Sequence, residues 1–458
     1  MNMESRRMGA AARLVLLLGI AIGYFMVLLD MTVVSVALPA IHDDLGGGIS
    51  ELQWVVNAYT IVFAGLLLSM GTAADKAGAK RIYMIGLALF LAASAMSAFA
   101  PSLGVLIAMR ALLGVGGAAL LPASLTLIAH AFPDPGERAR ALGIWAAVTG
   151  IALAAGPVAG GLLVDSFGWR SIFILNIPLA ILSLLITRMN VTETNRNPKR
   201  SFDLAGQLLA IVFIAALSFV LMEGEPFGWS SPVIWGTGCL ALLAIIGFII
   251  VEAKSRSPLL PLHIFRSSTV SAGMLAGTAS NIALSGILFV LPMFYQQMVG
   301  LSAHSAGLAM LPMMVPMAVN PIFAGRIVSR TGARIPMTGG FAAVAAGTVL
   351  LALADENTNY AQVCAGLFLI GFGISFTLPS LMSAILSSVP RELTGAASGA
   401  LNASRQVGAT LGVAVVGAII SGSETFITGM HVSLIVTAVI LAGGSLLSFL
   451  FINRDRRT

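Results

Sequence analysis

The chain has 458 residues, of which 58% are hydrophobic and only 10% charged, with a mean hydropathy of +0.96. Soluble domains carry about a quarter charged residues, so a water-soluble enzyme or nucleic-acid-binding module is excluded. The net charge of +6 and pI near 9.7 belong instead to loops that orient membrane spans. In chain order, Arg6, Arg7 and Arg13 precede an apolar stretch from Leu14. That stretch is too long for a signal-peptide core and no clear cleavage site follows, so it reads as a retained first span. A helix crosses the hydrocarbon core in about 20 residues. Apolar runs of that order lie at 14–41, 53–74, 82–100, 103–131, 141–164, 171–188, 204–222, 233–251, 270–298, 305–328, 336–354, 361–386, 396–421 and 431–453. An all-α polytopic membrane protein of fourteen spans is predicted.

Placing the N-terminus in the cytoplasm puts nearly all the 25 lysines and arginines on the inner side. Arg170 falls in an outer loop, and Arg110 and Arg405 fall inside spans. This asymmetry predicts that both termini are cytoplasmic. The segment Gly71–Arg81 after span 2 and the segment Gly325–Arg334 after span 10 are similar short basic turns. They suggest two six-span bundles related by repeat, as in transporters, at residues 1–200 and 268–458. Residues 201–267 then form an inserted two-span hairpin with polar linkers. Cys239 and Cys364 fall inside apolar runs and the five histidines are scattered, so neither a disulfide nor a metal is expected. No glycine-rich loop carries the GKS or GKT of a phosphate site, so no bound cofactor is expected.

Span 5 contains Gly150, Gly156, Pro157, Gly160 and Gly161. Pro157 removes a backbone bond and is expected to bend the helix, while the glycines admit neighbouring backbones. A carboxylate in the bilayer centre costs roughly 2.5–3.5 kcal/mol on insertion scales and marks function by default. Eighteen of the nineteen acids lie in loops or at span ends; Asp30 alone lies within a span. At about 1.5 Å per residue, Asp30 is about 24 Å above Leu14, and Arg110 is about 10 Å below the outer start of span 4. The two are therefore expected at comparable depth, Arg110 favouring the charged carboxylate and burial opposing it. A static pair that only joins spans 1 and 4 is the alternative. Arg405, with Asn402 and Gln406 nearby, has no acid in spans 9–14. It either braces helices, satisfied by carbonyls, by amides such as Asn281 or Asn320 or by Asp30 across the cavity, or contacts substrate. Gln53, Asn57 and Tyr59 place amides and a phenol near the outer cavity, for ligand contact or for structure. The methionines Met293, Met298, Met310, Met313, Met314 and Met317 suit either packing or an adaptable pocket. The tryptophans near span ends suit interface anchoring.

Several segments resemble the major facilitator superfamily, in particular its fourteen-span drug–proton antiporter branch. They are LLDMTVVSVALPAI (Leu28–Ile41), GTAADKAGAKR (Gly71–Arg81), LIAMRALLGVGGAA (Leu106–Ala119), TGIALAAGPVAGG (Thr149–Gly161), WRSIFILNIPL (Trp169–Leu179) and LNASRQVGATLGVA (Leu401–Ala414). The resemblance implies the major facilitator fold, with Asp30 and Arg110 beside the N-half cavity and a span-5 motif that marks exporters. It also implies that Gly71, Asp75, Gly78, Lys80 and Arg81 form a cytoplasmic gate with Arg138 and the start of span 13. Ala79 and Ser329 depart from the usual basic and acidic residues of the two turns. The expected activity is proton-driven efflux of a drug or antibiotic across a bacterial cytoplasmic membrane by alternating access. The expected partners are protons, membrane lipid and a small lipophilic substrate, neutral or singly charged, handled by a monomer. A dedicated exporter of one endogenous metabolite is the alternative, and a non-transporting membrane receptor a further one.

Overall fold

A computed structural model describes residues 10–194, 196, 203–255, 260, 262–354, 359–390 and 393–452. Among them the first helices are α1 (Ala10–Leu45), α2 (Ile49–Ala77), α3 (Ala79–Ala98), α4 (Leu103–Ala131), α5 (Pro135–Phe167) and α6 (Ser171–Asn190). A hairpin follows, α7 (Leu204–Phe227) and α8 (Pro232–Lys254). The remainder comprises α9 (Ser268–Met293), α10 (Ala303–Ala309), α11 (Leu311–Val319), α12 (Pro321–Thr331), α13 (Arg334–Ala352), α14 (Tyr360–Ser387), α15 (Thr394–Ser421) and α16 (Phe426–Phe451). No strand occurs among the described residues. Local chemistry sets the ends. Asp134 accepts the Glu137 amide at 2.9 Å, with Pro135 opening α5, and Asp203 accepts the Gly206 amide at 2.8 Å at the start of α7. These side chains satisfy amides that have no partner within the helix.

Twelve helices are long and apolar enough to cross a membrane, and counting each of two bent pairs as one span gives fourteen. The bent pairs occupy matching places. One is α2, bent by 54° between its arms at 49–67 and 69–77; the other is α11 against α12, bent by 60°. Each stands immediately before one of the two similar basic turns. In α2 the bend lies where Gly65, Ser69 and Gly71 weaken the helix. Between α11 and α12, Pro321 follows Asn320 and cannot continue the hydrogen-bond ladder. Pro157, expected to bend α5, lies inside one unbroken helix from Pro135 to Phe167.

Helices α1–α6 pack on one another, as do α9–α16. The linker residues 197–202 and 256–259, where the hairpin joins the two sets, lie outside the described residues. Helix α8 shows Leu242 and Leu243 at 60% and 66% exposure, an apolar face suited to lipid rather than water. Helix α7 instead packs on α2 and on α15, one from each half.

Candidate functional site

Asp30 sits mid-way along α1, fully buried, in an ion pair with Arg110 of α4, which is 1% exposed. Asn176 of α6 donates to the other carboxylate oxygen at 3.2 Å. Arg110 is also tied to α2: its Nε donates to the Val55 carbonyl at 2.9 Å, and its guanidinium lies 4.6 Å from the Tyr59 ring centre. The Tyr59 hydroxyl donates back to the Val27 carbonyl of α1 at 3.3 Å. The carboxylate is thus held by α4 and α6, while its counter-ion is anchored on α2. Burying such a pair is tolerated only when each charge is paired and hydrogen-bonded.

The two halves meet at the face away from the basic turns, along two seams. In the first, α5 lies against α10 and α11. A Cβ on Gly161 would overlap the Ala303 carbonyl, and one on Gly307 would overlap that of Pro157. One on Gly150 would stand 2.9 Å from the Ala318 Cα. Gly156 and Gly160 turn toward α1 instead, where a Cβ would strike Thr32 or Val33. Both sides of α5 therefore depend on absent side chains, as close helix approach in membranes requires. Asp165, at the end of α5, accepts the Ala303 and His304 amides at 3.0 and 2.9 Å. It places negative charge from one half at the N-terminus of a helix of the other.

The second seam joins α2 to α15. Gln53 Nε2 donates to the Val413 and Ala414 carbonyls at 2.8 and 3.0 Å, and Asn57 Nδ2 donates to that of Thr410 at 3.2 Å. Two residues read from sequence as near the outer cavity thus cross between halves. Helix α7 covers this seam: Gln207 donates to the Gly65 carbonyl, and Glu223 accepts Ser50 Oγ at 2.6 Å and Trp54 Nε1 at 2.8 Å. Between α1 and α9, Gln296 of the π-helical turn Phe294–Met298 donates to the Val36 carbonyl at 2.9 Å.

Beneath the seams, toward the basic face, one group of side chains stands on α1 and α5 and another on α9 and α15. On one side Tyr24 of α1 stacks on Trp145 of α5, with ring centres 4.0 Å apart and planes within 8°. Leu28, Met31 and Leu121 pack around them. On the other side Arg405 Nε donates to Asn281 Oδ1 at 3.3 Å, and Asn402 and Gln406 flank it on α15. Asn320 is not in this group; it occupies the break between α11 and α12. Nearer the basic face, a cleft of about 610 Å³ between α1 and α5 is lined by Arg13, Leu14, Phe132, Arg140 and Ile144.

At the basic face Gly78 turns with φ +101° between α2 and α3, a conformation open to glycine. Glu193 accepts the Lys80 and Arg81 amides at 2.9 and 3.1 Å, capping α3. Lys80 Nζ reaches the Arg188 carbonyl at 3.0 Å. Arg138 folds onto its own turn, donating to the Phe132 and Pro133 carbonyls at 3.1 Å. Gly71 and Asp75 lie on the short arm of α2 beyond its bend. Arg391 and Glu392, ahead of α15, lie outside the described residues.

Sequence reading overlooked Asn176, although it is the amide inside an otherwise apolar span. It overlooked Asp165 and Glu193 because their partners are backbone amides distant in sequence. Interface anchoring fits Trp229 and Trp235, which are 52% and 67% exposed, but not Trp169. That residue is 3% exposed, and its indole donates to Asp44 at 3.0 Å. The clustered methionines Met293, Met310, Met313, Met314 and Met317 are buried core.

A profile of the Major Facilitator Superfamily matches residues 20–413 and 274–458. The chain is 36% identical over 415 residues to the multidrug resistance protein Stp of Mycobacterium tuberculosis, covering 89% of this chain and 76% of that protein. It is 34% identical over 443 residues to the methylenomycin A resistance protein of Bacillus subtilis, covering 96% and 95%. Among solved structures, a bacterial homologue of the human lysosomal transporter Spinster shares the fold, with a TM-score of 0.70 at 16% identity, covering 98% of this chain and all of the other. The chain belongs to the major facilitator superfamily of transporters.

Proposed function

We propose that this transporter is an antiporter of the bacterial cytoplasmic membrane that exports small lipophilic drugs or antibiotics in exchange for protons. Its basic face, with both termini, lies in the cytoplasm, in keeping with the charge asymmetry of the loops. The observation that carries the reading is the Asp30–Arg110–Asn176 cluster, a carboxylate in the middle of a membrane helix whose partner is anchored on a seam-forming helix. Protonating Asp30 removes the charge that holds Arg110. Arg110 is bonded to Val55, between Gln53 and Asn57 on α2, so the charge on Asp30 acts on the stretch that clasps α15. Substrate-driven proton release to the cytoplasm and opening of the far face are linked through one helix, and reprotonation from the far side resets it. The gating contacts expected at Gly71, Asp75, Gly78, Lys80, Arg81 and Arg138 close the cytoplasmic side in the opposite state. The names of the resistance proteins to which the chain is similar support this choice of cargo.

One proton entering across 100 mV supplies about 2.3 kcal/mol and each pH unit about 1.36 kcal/mol. Together these sustain a neutral substrate gradient of several hundredfold, on the order of that energy divided at 1.36 kcal/mol per decade. The test is substrate-induced proton release from proteoliposomes. Asp30→Asn should abolish it while the protein stays folded and still binds substrate, and Arg110→Ala should reduce it strongly. Full proton-coupled export by Asp30→Asn would remove Asp30 from the mechanism.

A further inference from the structure

Arg405 is a cation that pairs with no acid among the described residues. Its Nε is used by Asn281, but its two terminal nitrogens are accessible and have no acceptor among the described residues. The groups that face it are few. On α9 there is the Asn281 amide, and the next residue on its own helix, Gln406, has its side-chain Oε1 buried without a partner. On α1 stands Tyr24, within electrostatic range of the guanidinium. The other charges of the region, Asp30 and Arg110, satisfy each other inside the first half. An unneutralised guanidinium between low-dielectric walls concentrates field and attracts an anion. Its planar fork fits a carboxylate or similar pair of oxygens with two parallel bonds.

The opposing wall adds shape. The half-buried Trp145 ring is backed by Tyr24, 5% exposed and stacked on it, and Trp145 Nε1 is a buried donor without a partner. An indole N–H in an apolar site normally finds an acceptor. One charged fork on the second half and one aromatic surface on the first together describe a bipolar ligand.

We propose that the two groups face one chamber, which selects substrates that carry one anionic oxygen group, such as a carboxylate, enolate or phenolate, on a flat apolar skeleton. Arg405 holds the oxygens, and the skeleton lies against the Tyr24–Trp145 pair. The inference rests on the export reading above in taking the chamber as the substrate site. A brace joining α9 and α15 needs only the Nε contact to Asn281, whereas an anion site uses the two terminal nitrogens left over.

Three naphthalene probes with the same ring test this: 2-naphthoate, 2-naphthamide and a 2-naphthyltrimethylammonium. Equilibrium binding to the purified full chain is measured without any gradient. Wild type should bind the carboxylate at least tenfold more tightly than the amide, with the ammonium weakest. Arg405→Gln should abolish the carboxylate preference and leave the amide within twofold, and Arg405→Lys should restore part of it. Trp145→Phe, which keeps a ring but shrinks the aromatic surface, should weaken all three probes severalfold without changing their order. If wild type ranks the ammonium first, or Arg405→Gln weakens all three probes equally, the proposal is overturned. Should Arg405→Gln fail to fold, the wild-type ranking and Trp145→Phe decide the matter alone. The readings separate cleanly. Selective carboxylate binding with no proton release on transport defeats the antiport reading only, while proton-coupled export with no anion preference defeats this inference only.

Discussion

The two seams that close the far face occupy equivalent places in the repeated halves, yet they are made differently. The seam of α5 with α10 and α11 is backbone against backbone, permitted by Gly161 and Gly307 and capped by Asp165. The seam of α2 with α15 is side chain against backbone, through Gln53 and Asn57, and α7 lies over it. A glycine contact tolerates no added atom but makes no strong bond. An amide contact is stronger per residue but more tolerant of change. On the proposed alternating-access reading, the halves rock on two joints with different sensitivities, one steric and one polar.

The largest expected effect comes from filling the steric joint. Gly161→Val places atoms into the Ala303 backbone, and overpacking costs about 1–3 kcal/mol. The far-face-closed population should fall by roughly ten- to a hundredfold. Spin labels at Phe167 and Glu424 would show loss of the short distance; an unchanged distribution would mean this joint does not control closure. Next, Asp165→Ala removes the cap from α10, a change of about 0.5–2 kcal/mol, and should shift the same distance by about tenfold in population. Gln53→Ala should act more weakly. Interhelical hydrogen bonds in membranes average about 0.6 kcal/mol, giving about a threefold shift. The smallest effect is expected from Glu223→Gln, which keeps the shape that meets Ser50 and Trp54. Hydrogen exchange should rise in α7 while transport changes by less than about twofold, since an amide oxygen still accepts both bonds, each worth only about 1 kcal/mol. A transport loss as large as that of Gly161→Val would make the hairpin part of the rocking joint rather than its cover.

Much of this was legible in the chain because lipid is a strict solvent. Apolar runs marked the spans to within a few residues, and Leu103–Ala131 agrees at both ends. The high cost of a mid-membrane charge singled out Asp30, Arg110 and Arg405. What resisted reading was the choice of partner. Asn176 could have bonded any neighbouring helix, and only the fold aims it at Asp30. Trp145 looked like a residue near the start of its span because the apolar run begins at 141. The helix itself begins at Pro135, which puts that indole about 15 Å inside it. Pro157 leaves α5 continuous from Pro135 to Phe167, a continuity that depends on packing from both sides of the helix and that local sequence does not encode.

Helix α7 also makes the molecule lopsided toward the bilayer. It follows α2 from Gly65 to Ser50, so acyl chains on that flank touch the hairpin and not the moving joint. On the opposite flank, where α5 meets α10 and α11, no described helix forms such a shield. On the proposed export reading, a solute already dissolved among the lipid tails reaches the joint from one side, and a transporter of repeated halves acquires a front and a back.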